Sequence, residues 1–271
     1  MVRNFQKPCR SVVLSNNGMV ASSHSLSSSI GVEILKKGGN AVDAAMAMAF
    51  VLPLCEPQST GYFGDLFCII SQPNDDKFIG LNGSGKSPNE ANSEILKSNG
   101  FKKIPETNIS SITLPGAMKA FESLHNNFCK LDLYEICKPA ITYAEQGVPV
   151  SPRVAFDWNY SIGNLKGVAK EFYTKNGASF KIGDLFKAPQ QAKVLREFAK
   201  NGAKGFYEGE VANDLISSLN KLGGAHTHDD LKNVSFEYVD PITINFDKHA
   251  LVELPPNGQG VTAFLIKKML D

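Results

Sequence analysis

Apolar residues recur at helical spacing at Leu26, Ile30, Val32, Ile34 and Leu35, and the run stops at Lys36-Lys37-Gly38-Gly39. Cations at the negative end of a helix dipole, followed by glycine, mark a C-terminus, so this spacing predicts one helix with a defined end. Asn40 then stands as the cap of a second helix over residues 41–51, with Asp43 in its first turn. Its alternation of alanine and methionine leaves no polar face, which predicts a helix packed from several sides. Ahead of these helices, residues 12–15 and 19–22 flank Asn16-Asn17-Gly18, a pair of runs that predicts a tight hairpin. A second strand pair is predicted over residues 66–71 and 77–81, joined by Pro73-Asn74-Asp75-Asp76. The predicted order is therefore β-β-α-α-β-β.

From Ile112-Thr113-Leu114-Pro115-Gly116 onward the pattern turns mostly helical, with segments predicted at 117–126, 133–145, 190–201 and 210–222. Gly147-Val148-Pro149 and Leu222-Gly223-Gly224 punctuate them. A late strand pair, 242–246 and 250–254, precedes Pro255-Pro256-Asn257-Gly258, and residues 261–270 form a helix with no stop signal. The chain accordingly reads as one domain, 1–271, with a helical region at about 115–235, and as part of a longer or cleaved polypeptide.

Composition narrows the function classes. With 42% hydrophobic and 20% charged residues the chain is globular, and 28 Lys+Arg against 27 Asp+Glu leaves a net charge of +1. No global field draws it to nucleic acid or anionic lipid, so neither is expected as a partner. The most apolar stretch, residues 41–54, is broken by Asp43 and Pro53 and falls short of the roughly 20 residues a spanning helix needs. Residues 1–10 lead into Ser11-Val12-Val13-Leu14-Ser15, too short an apolar run for a secretory signal. The five cysteines contain no Cys-x-x-Cys pair. They point to a reducing compartment, expected to be the cytoplasm, and to no zinc site.

Gly80-Leu81-Asn82-Gly83-Ser84-Gly85-Lys86-Ser87 satisfies the phosphate-loop pattern, and a predicted strand precedes it. Against a nucleotide site, Pro88 restricts Ser87 away from the helical conformation such a loop continues into, and the preceding strands read as a hairpin rather than a parallel sheet. His226-Thr227-His228-Asp229-Asp230 offers metal ligands, but Thr227 with Asp230 three residues on also reads as a helix capping box. His24 among Ser22, Ser23 and Ser25 reads as a polar turn rather than a catalytic pair. Glu56 and Asp65 could act as an acid and base, or each could fix a tight loop through backbone N–H groups.

Taken together, Gly18-Met19-Val20-Ala21-Ser22-Ser23-His24, the run from Glu33 through Gly38-Gly39-Asn40-Ala41-Val42-Asp43-Ala44-Ala45, and Glu56-Pro57-Gln58-Ser59-Thr60-Gly61 resemble the γ-glutamyltransferase family. The resemblance continues through Leu81-Asn82-Gly83-Ser84-Gly85-Lys86-Ser87-Pro88, Ile112 to Ala117, Gly147-Val148-Pro149-Val150-Ser151 and Glu253-Leu254-Pro255-Pro256-Asn257-Gly258-Gln259-Gly260. It covers nearly the whole chain.

That resemblance implies an α+β fold of the N-terminal-nucleophile hydrolase type, an α/β/β/α sandwich of antiparallel sheets with an inserted helical region, incomplete without a C-terminal segment. In the family a precursor cuts itself ahead of a threonine whose freed amine then serves as base. No threonine here, from Thr60 to Thr262, matches that motif, so the catalytic residues are expected beyond Asp271 and this chain alone is expected to be inactive. The implied partners are a small-molecule γ-glutamyl or related amide, such as glutathione, and the small-subunit segment that carries the nucleophile. No cofactor and no metal are implied. Type members place an arginine for the substrate's α-carboxylate where this chain has Ser84, so substrate binding is expected at Asn82, Ser84 and Lys86, with Lys86 the nearest cation. The alternatives are a phosphate-loop nucleotide-binding protein and a catalytically inactive scaffold.

Overall fold

A computed structural model describes residues 11–73 and 77–270. In chain order its elements are α1 (Ser25–Lys36), α2 (Ala41–Cys55), β1 (Leu66–Ser71), β2 (Phe78–Gly83), α3 (Ser93–Ser98), α4 (Ala117–Phe128), α5 (Leu133–Gln146), β3 (Val148–Pro149), α6 (Pro152–Ser161), α7 (Gly167–Phe172), β4 (Leu185–Phe186), α8 (Pro189–Asn201), α9 (Ala203–Tyr207), α10 (Gly209–Lys221), α11 (His228–Lys232), β5 (Glu237–Val239), β6 (Ile242–Phe246), β7 (His249–Glu253) and α12 (Gly260–Leu270). The class is α+β with antiparallel pairing throughout, as expected. Two compact units divide the chain: Met1–Gly61 with Leu124–Gly205, and Tyr62–Ser123 with Phe206–Asp271.

The first unit is built on α1, α2, α5 and α8, whose apolar stripes bury Ile34, Phe50, Leu54, Ile136, Leu195 and Phe198. Its second helix runs through Pro53 to Cys55, past the predicted end at Val51. A proline costs a helix one hydrogen bond, and here burial of Phe50, Val51, Leu54 and Cys55 around it offsets that loss. Asn40 Oδ1 accepts from the N–H groups of Val42 and Asp43, and Asp43 Oδ2 returns the bond to Asn40 N at 2.7 Å. The Asp43 carboxylate, fully buried, also takes the N–H groups of Lys130 and Leu131, which ties the start of α2 to the loop after α4.

His24 caps α1 in the same unit. Its Nδ1 accepts from Leu26 N at 3.2 Å, which places the proton of the neutral ring on Nε2, a buried atom with no partner among the described residues. Protonation of Nδ1 would abolish the cap, and burial holds the imidazole below its ordinary value of 6.5 against the opposing pull of Glu56. As pH falls below about 6.5 the unfolded chain takes up the proton first, so stability declines on acidification and levels off only below the lowered folded value. Urea unfolding across this window should show that decline, and His24→Asn, which keeps a capping oxygen but cannot titrate, should flatten it. An unchanged slope in the variant would assign the pH dependence to another group.

The predicted hairpin of residues 12–15 and 19–22 is not a sheet in this structure: these residues are extended or bent without ladder bonds. Val12, Val13 and Leu14 are exposed by 87%, 67% and 88%. Hairpin residues hold strand geometry only when a further sheet or core covers one face; Val12 to Leu14 have no such cover among the described residues, whereas Val20 is half-buried against Gly31 of α1.

In the second unit β2 is the centre of a three-stranded antiparallel sheet in the order β1-β2-β5, with Cys68 opposite Leu81 and Leu81 opposite Tyr238. Leu81 is fully buried, whereas Phe67, Ile69 and Phe78 keep large exposed areas. The turn predicted between β1 and β2 includes residues 74–76, outside the described residues. The β6 and β7 strands follow the predicted bounds within one residue and pair antiparallel.

Candidate functional site

The turn that leaves β2 carries the predicted substrate residues. Antiparallel pairing ends at Asn82 and Gly83, and Asn82 Oδ1 accepts from Ser84 N at 3.0 Å, the local bond that makes asparagine a turn former. From Ser84 to Pro88 the backbone is irregular and no helix begins at Ser87. The phosphate-loop reading therefore fails: its strand lies in an antiparallel sheet and its loop has no helix N-terminus to hold an anion.

Backbone contacts fix where the turn sits. Leu114 N donates to Lys86 O at 2.8 Å, and at Gly85 and Gly116 the two segments touch so closely that a Cβ on either would overlap the backbone of the other segment. The Ile112-Thr113-Leu114-Pro115-Gly116 run is thus the second wall of the turn. It is held in turn by Tyr207, whose hydroxyl donates to Pro115 O at 2.6 Å and accepts from Lys119 N.

Side chains close the other side. Asp65 Oδ1 accepts from Gly85 N at 2.8 Å, and Asp65 Oδ2 accepts from Ser84 Oγ at 3.2 Å. Asn257, on the loop after β7, donates through Nδ2 to Ser84 Oγ at 2.7 Å and accepts at Oδ1 from Asn82 Nδ2 at 3.1 Å. Further along, Asp230 Oδ1 takes the N–H of Asn89 while its Oδ2 takes Thr227 N, so the capping box of α11 also holds the end of the turn. Burial would raise the Asp230 carboxyl, but the hydrogen bonds from Asn89 and Thr227 win and hold it below the usual range.

Lys86 differs from its neighbours. It is exposed and pairs with no carboxylate among the described residues. A cleft lined by Asn82, Ser84, Lys86, Phe236, Glu237 and Asn257 opens beside it. The structure thus brings Asn82, Ser84 and Lys86 to one wall, and adds Asp65 and Asn257, which the sequence reading had not placed there. The signal for Asn257 was present in the Pro255-Pro256-Asn257-Gly258 motif, but nothing along the chain says which strand end that loop meets.

The remaining candidates separate. Glu56, in the first unit, accepts from Ser23 Oγ, while Asp65 serves the turn in the second, so each carboxylate fixes a loop. Ser22 Oγ donates to His24 O and pairs with Ser28, a polar turn rather than a nucleophile and base. His228 bonds Asn213 through Nε2, and among the described residues no group of three or more His, Cys, Asp or Glu side chains gathers to hold a metal.

Comparison with known proteins gives this geometry a setting. The family model described as gamma-glutamyltranspeptidase matches residues 27–271. The chain is 32% identical over 265 residues to the glutathione hydrolase-like YwrD proenzyme of Bacillus subtilis, an alignment that covers 96% of this chain and 50% of that protein. The crystal structure of Helicobacter pylori gamma-glutamyltranspeptidase superposes with a TM-score of 0.88 at 28% identity, covering 94% of this chain and 74% of that one. That of a cephalosporin acylase from Bacillus halodurans superposes at 0.89 with 34% identity, covering 96% and 50%. The chain spans about half the length of the curated relatives it matches.

Proposed function

Because this chain belongs to the gamma-glutamyltranspeptidase family, we propose that it is the N-terminal, large-subunit part of a self-cleaving enzyme that hydrolyses or transfers a γ-glutamyl or related acyl group of an amide such as glutathione. The observation that carries this reading is the family match across residues 27–271, in a chain that aligns with about half of relatives named as proenzymes. The nucleophile is a threonine in the segment beyond Asp271. Its hydroxyl attacks the amide carbonyl while its own amine takes the proton, the C–N bond breaks and the amine leaves, and water or an acceptor amine then releases the acyl group.

This chain supplies the acyl wall. Lys86 meets an anionic group on the acyl moiety, and Asn82 and Ser84 shape the turn that presents it. A carboxylate is costly to bury without a donor, and Lys86 is the cation this turn offers. As a point charge it recognises a carboxylate with less directional demand than a bidentate guanidinium would. A second reading is an acylase that acts on an acyl group lacking the α-amino acid head; the likeness to the cephalosporin acylase and the presence of Ser84 in place of an arginine favour it.

The enzyme works in a reducing compartment such as the cytoplasm. The described cysteines are unpaired thiols, and burial pushes those of Cys55 and Cys129 up to about 12, which keeps them inert. Among the described residues no helix is long and apolar enough to cross a membrane.

Mass spectrometry of the purified full-length protein should show two chains that copurify, the second beginning with threonine. That enzyme should release the amine from a chromogenic γ-glutamyl anilide, and Lys86→Ala should raise KM about fivefold, the size of one exposed ionic contact, with self-cleavage intact. A single uncleaved chain with full amidase activity would overturn the proposal. Activity on a simple acyl anilide in preference to the γ-glutamyl one would select the acylase reading.

A further inference from the structure

We propose that Asp65 and Asn257 are positioning residues that set the specificity of the acyl wall, by locking Ser84 and Asn82 into a closed hydrogen-bonded ring that leaves Lys86 to meet the substrate's anion. The proposal rests on the reading of this turn as the acyl wall. It follows from a count of donors and acceptors. The single hydroxyl proton of Ser84 goes to Asp65 Oδ2, and its oxygen already accepts from Asn257 Nδ2. Asn82 is committed at both ends, its oxygen to Ser84 N and its nitrogen to Asn257 Oδ1. Asp65 Oδ1 takes Gly85 N. Ser84 therefore keeps no side-chain donor for a carboxylate, Asn82 keeps only the second N–H of its amide, and the negative charge of Asp65 directly behind Ser84 repels an anion.

The ring also decides what an arginine at position 84 would do. Its guanidinium would lose the acceptor that Asn257 now donates to and would lie beside the Asp65 carboxylate, a ready bidentate partner. Ser84→Arg should thus pair internally and leave the use of a γ-glutamyl amide no better than in the parent enzyme. The identity at position 84 and the carboxylate at 65 act as one unit, contributed by the ends of β2 and β1, with Asn257 closing it from the loop after β7.

The test uses the full-length, self-cleaved enzyme and a γ-glutamyl anilide. Asn257→Ala removes two of the ring's bonds and should raise KM about five- to tenfold with kcat within about twofold. Asn257→Asp leaves Ser84 Oγ facing two carboxylates and should do at least as much harm. The double variant D65N/N257D reverses the ring: the amide at 65 donates to Ser84 Oγ, whose proton goes to the carboxylate at 257, while Asn82 and Gly85 keep their acceptors. KM should then return to within about twofold of the parent value, a rescue expected only if the two positions act through Ser84. Thermal unfolding and the extent of self-cleavage report whether each variant folds, and the double variant decides the matter if Asn257→Ala does not. Two results overturn this inference while leaving the reading of the turn intact: unchanged KM in both Asn257 variants alongside a raised KM in Lys86→Ala, or a double variant no better than Asn257→Asp. Unchanged KM in Lys86→Ala overturns the acyl-wall reading, and this inference with it.

Discussion

A Gly85→Ala enzyme is expected to lose about a hundredfold in kcat/KM, because a shift of about 1 Å in a substrate-positioning segment has a penalty of that order. The added methyl would overlap both the oxygen and the carbon of the Leu114 carbonyl. Both obstacles are backbone, so no side chain can rotate away, and the two segments must part. Parting them breaks the bond from Leu114 N to Lys86 O and carries Lys86 out of its place beside the cleft. The loss should exceed that of Lys86→Ala, which removes a charge but leaves the turn standing. Steady-state kinetics on the self-cleaved enzyme, with circular dichroism to verify the fold, make the comparison. A Gly85→Ala enzyme with kinetics like the parent would show that the turn is held elsewhere.

Asp43→Ala should lower the free energy of urea unfolding by about 3 kcal/mol, since it strips acceptors from three partly buried N–H groups at once. Asn40, Lys130 and Leu131 donate those N–H groups, and the carboxylate that receives them is fully buried. Asp43→Asn keeps one acceptor oxygen and should cost about half as much. If the alanine variant unfolded at the parent denaturant concentration, water would have to be replacing the carboxylate. In that event the Asp43 carboxylate would contribute nothing net to stability, neither as a cap of α2 nor as a tie to the loop after α4.

Asp43 shows how far local reading carries. Its place in the first turn after Asn40 is legible because a capping box is written within four residues, and the same holds for Thr227 with Asp230. The helices at 133–146, 189–201 and 209–221 agree with expectation to within about one residue, since 3.6-residue periodicity and glycine stops are local properties. Local reading missed α6, whose apolar positions follow no clean stripe because Val154 and Trp158 turn inward while Phe156 and Tyr160 stay exposed. It also ended α2 at Val51, two residues before Pro53, because the burial that carries the helix through the proline is not a local property.

The opening hairpin failed for the opposite reason. The period-two pattern and the Asn-Gly turn were present, yet a strand is a relation between segments, and among the described residues no sheet or core covers Val12 to Leu14. At the candidate site, the motif from Asn82 to Pro88 and the motif around Asn257 were both visible in the chain as separate stretches of a family resemblance. Their meeting was not visible, because hydrogen bonds that join residues 173 to 175 positions apart depend on how β1, β2 and β7 end against one another. By itself the sequence determined most of the longer helices, the capping boxes at Asn40 and Thr227 and the family, all carried by short-range patterns. Only the tertiary structure decided that Ser84 and Asn82 are bound to Asp65 and Asn257, since that pairing rests on backbone approach at Gly85 and Gly116 and on strand ends that no local pattern brings together.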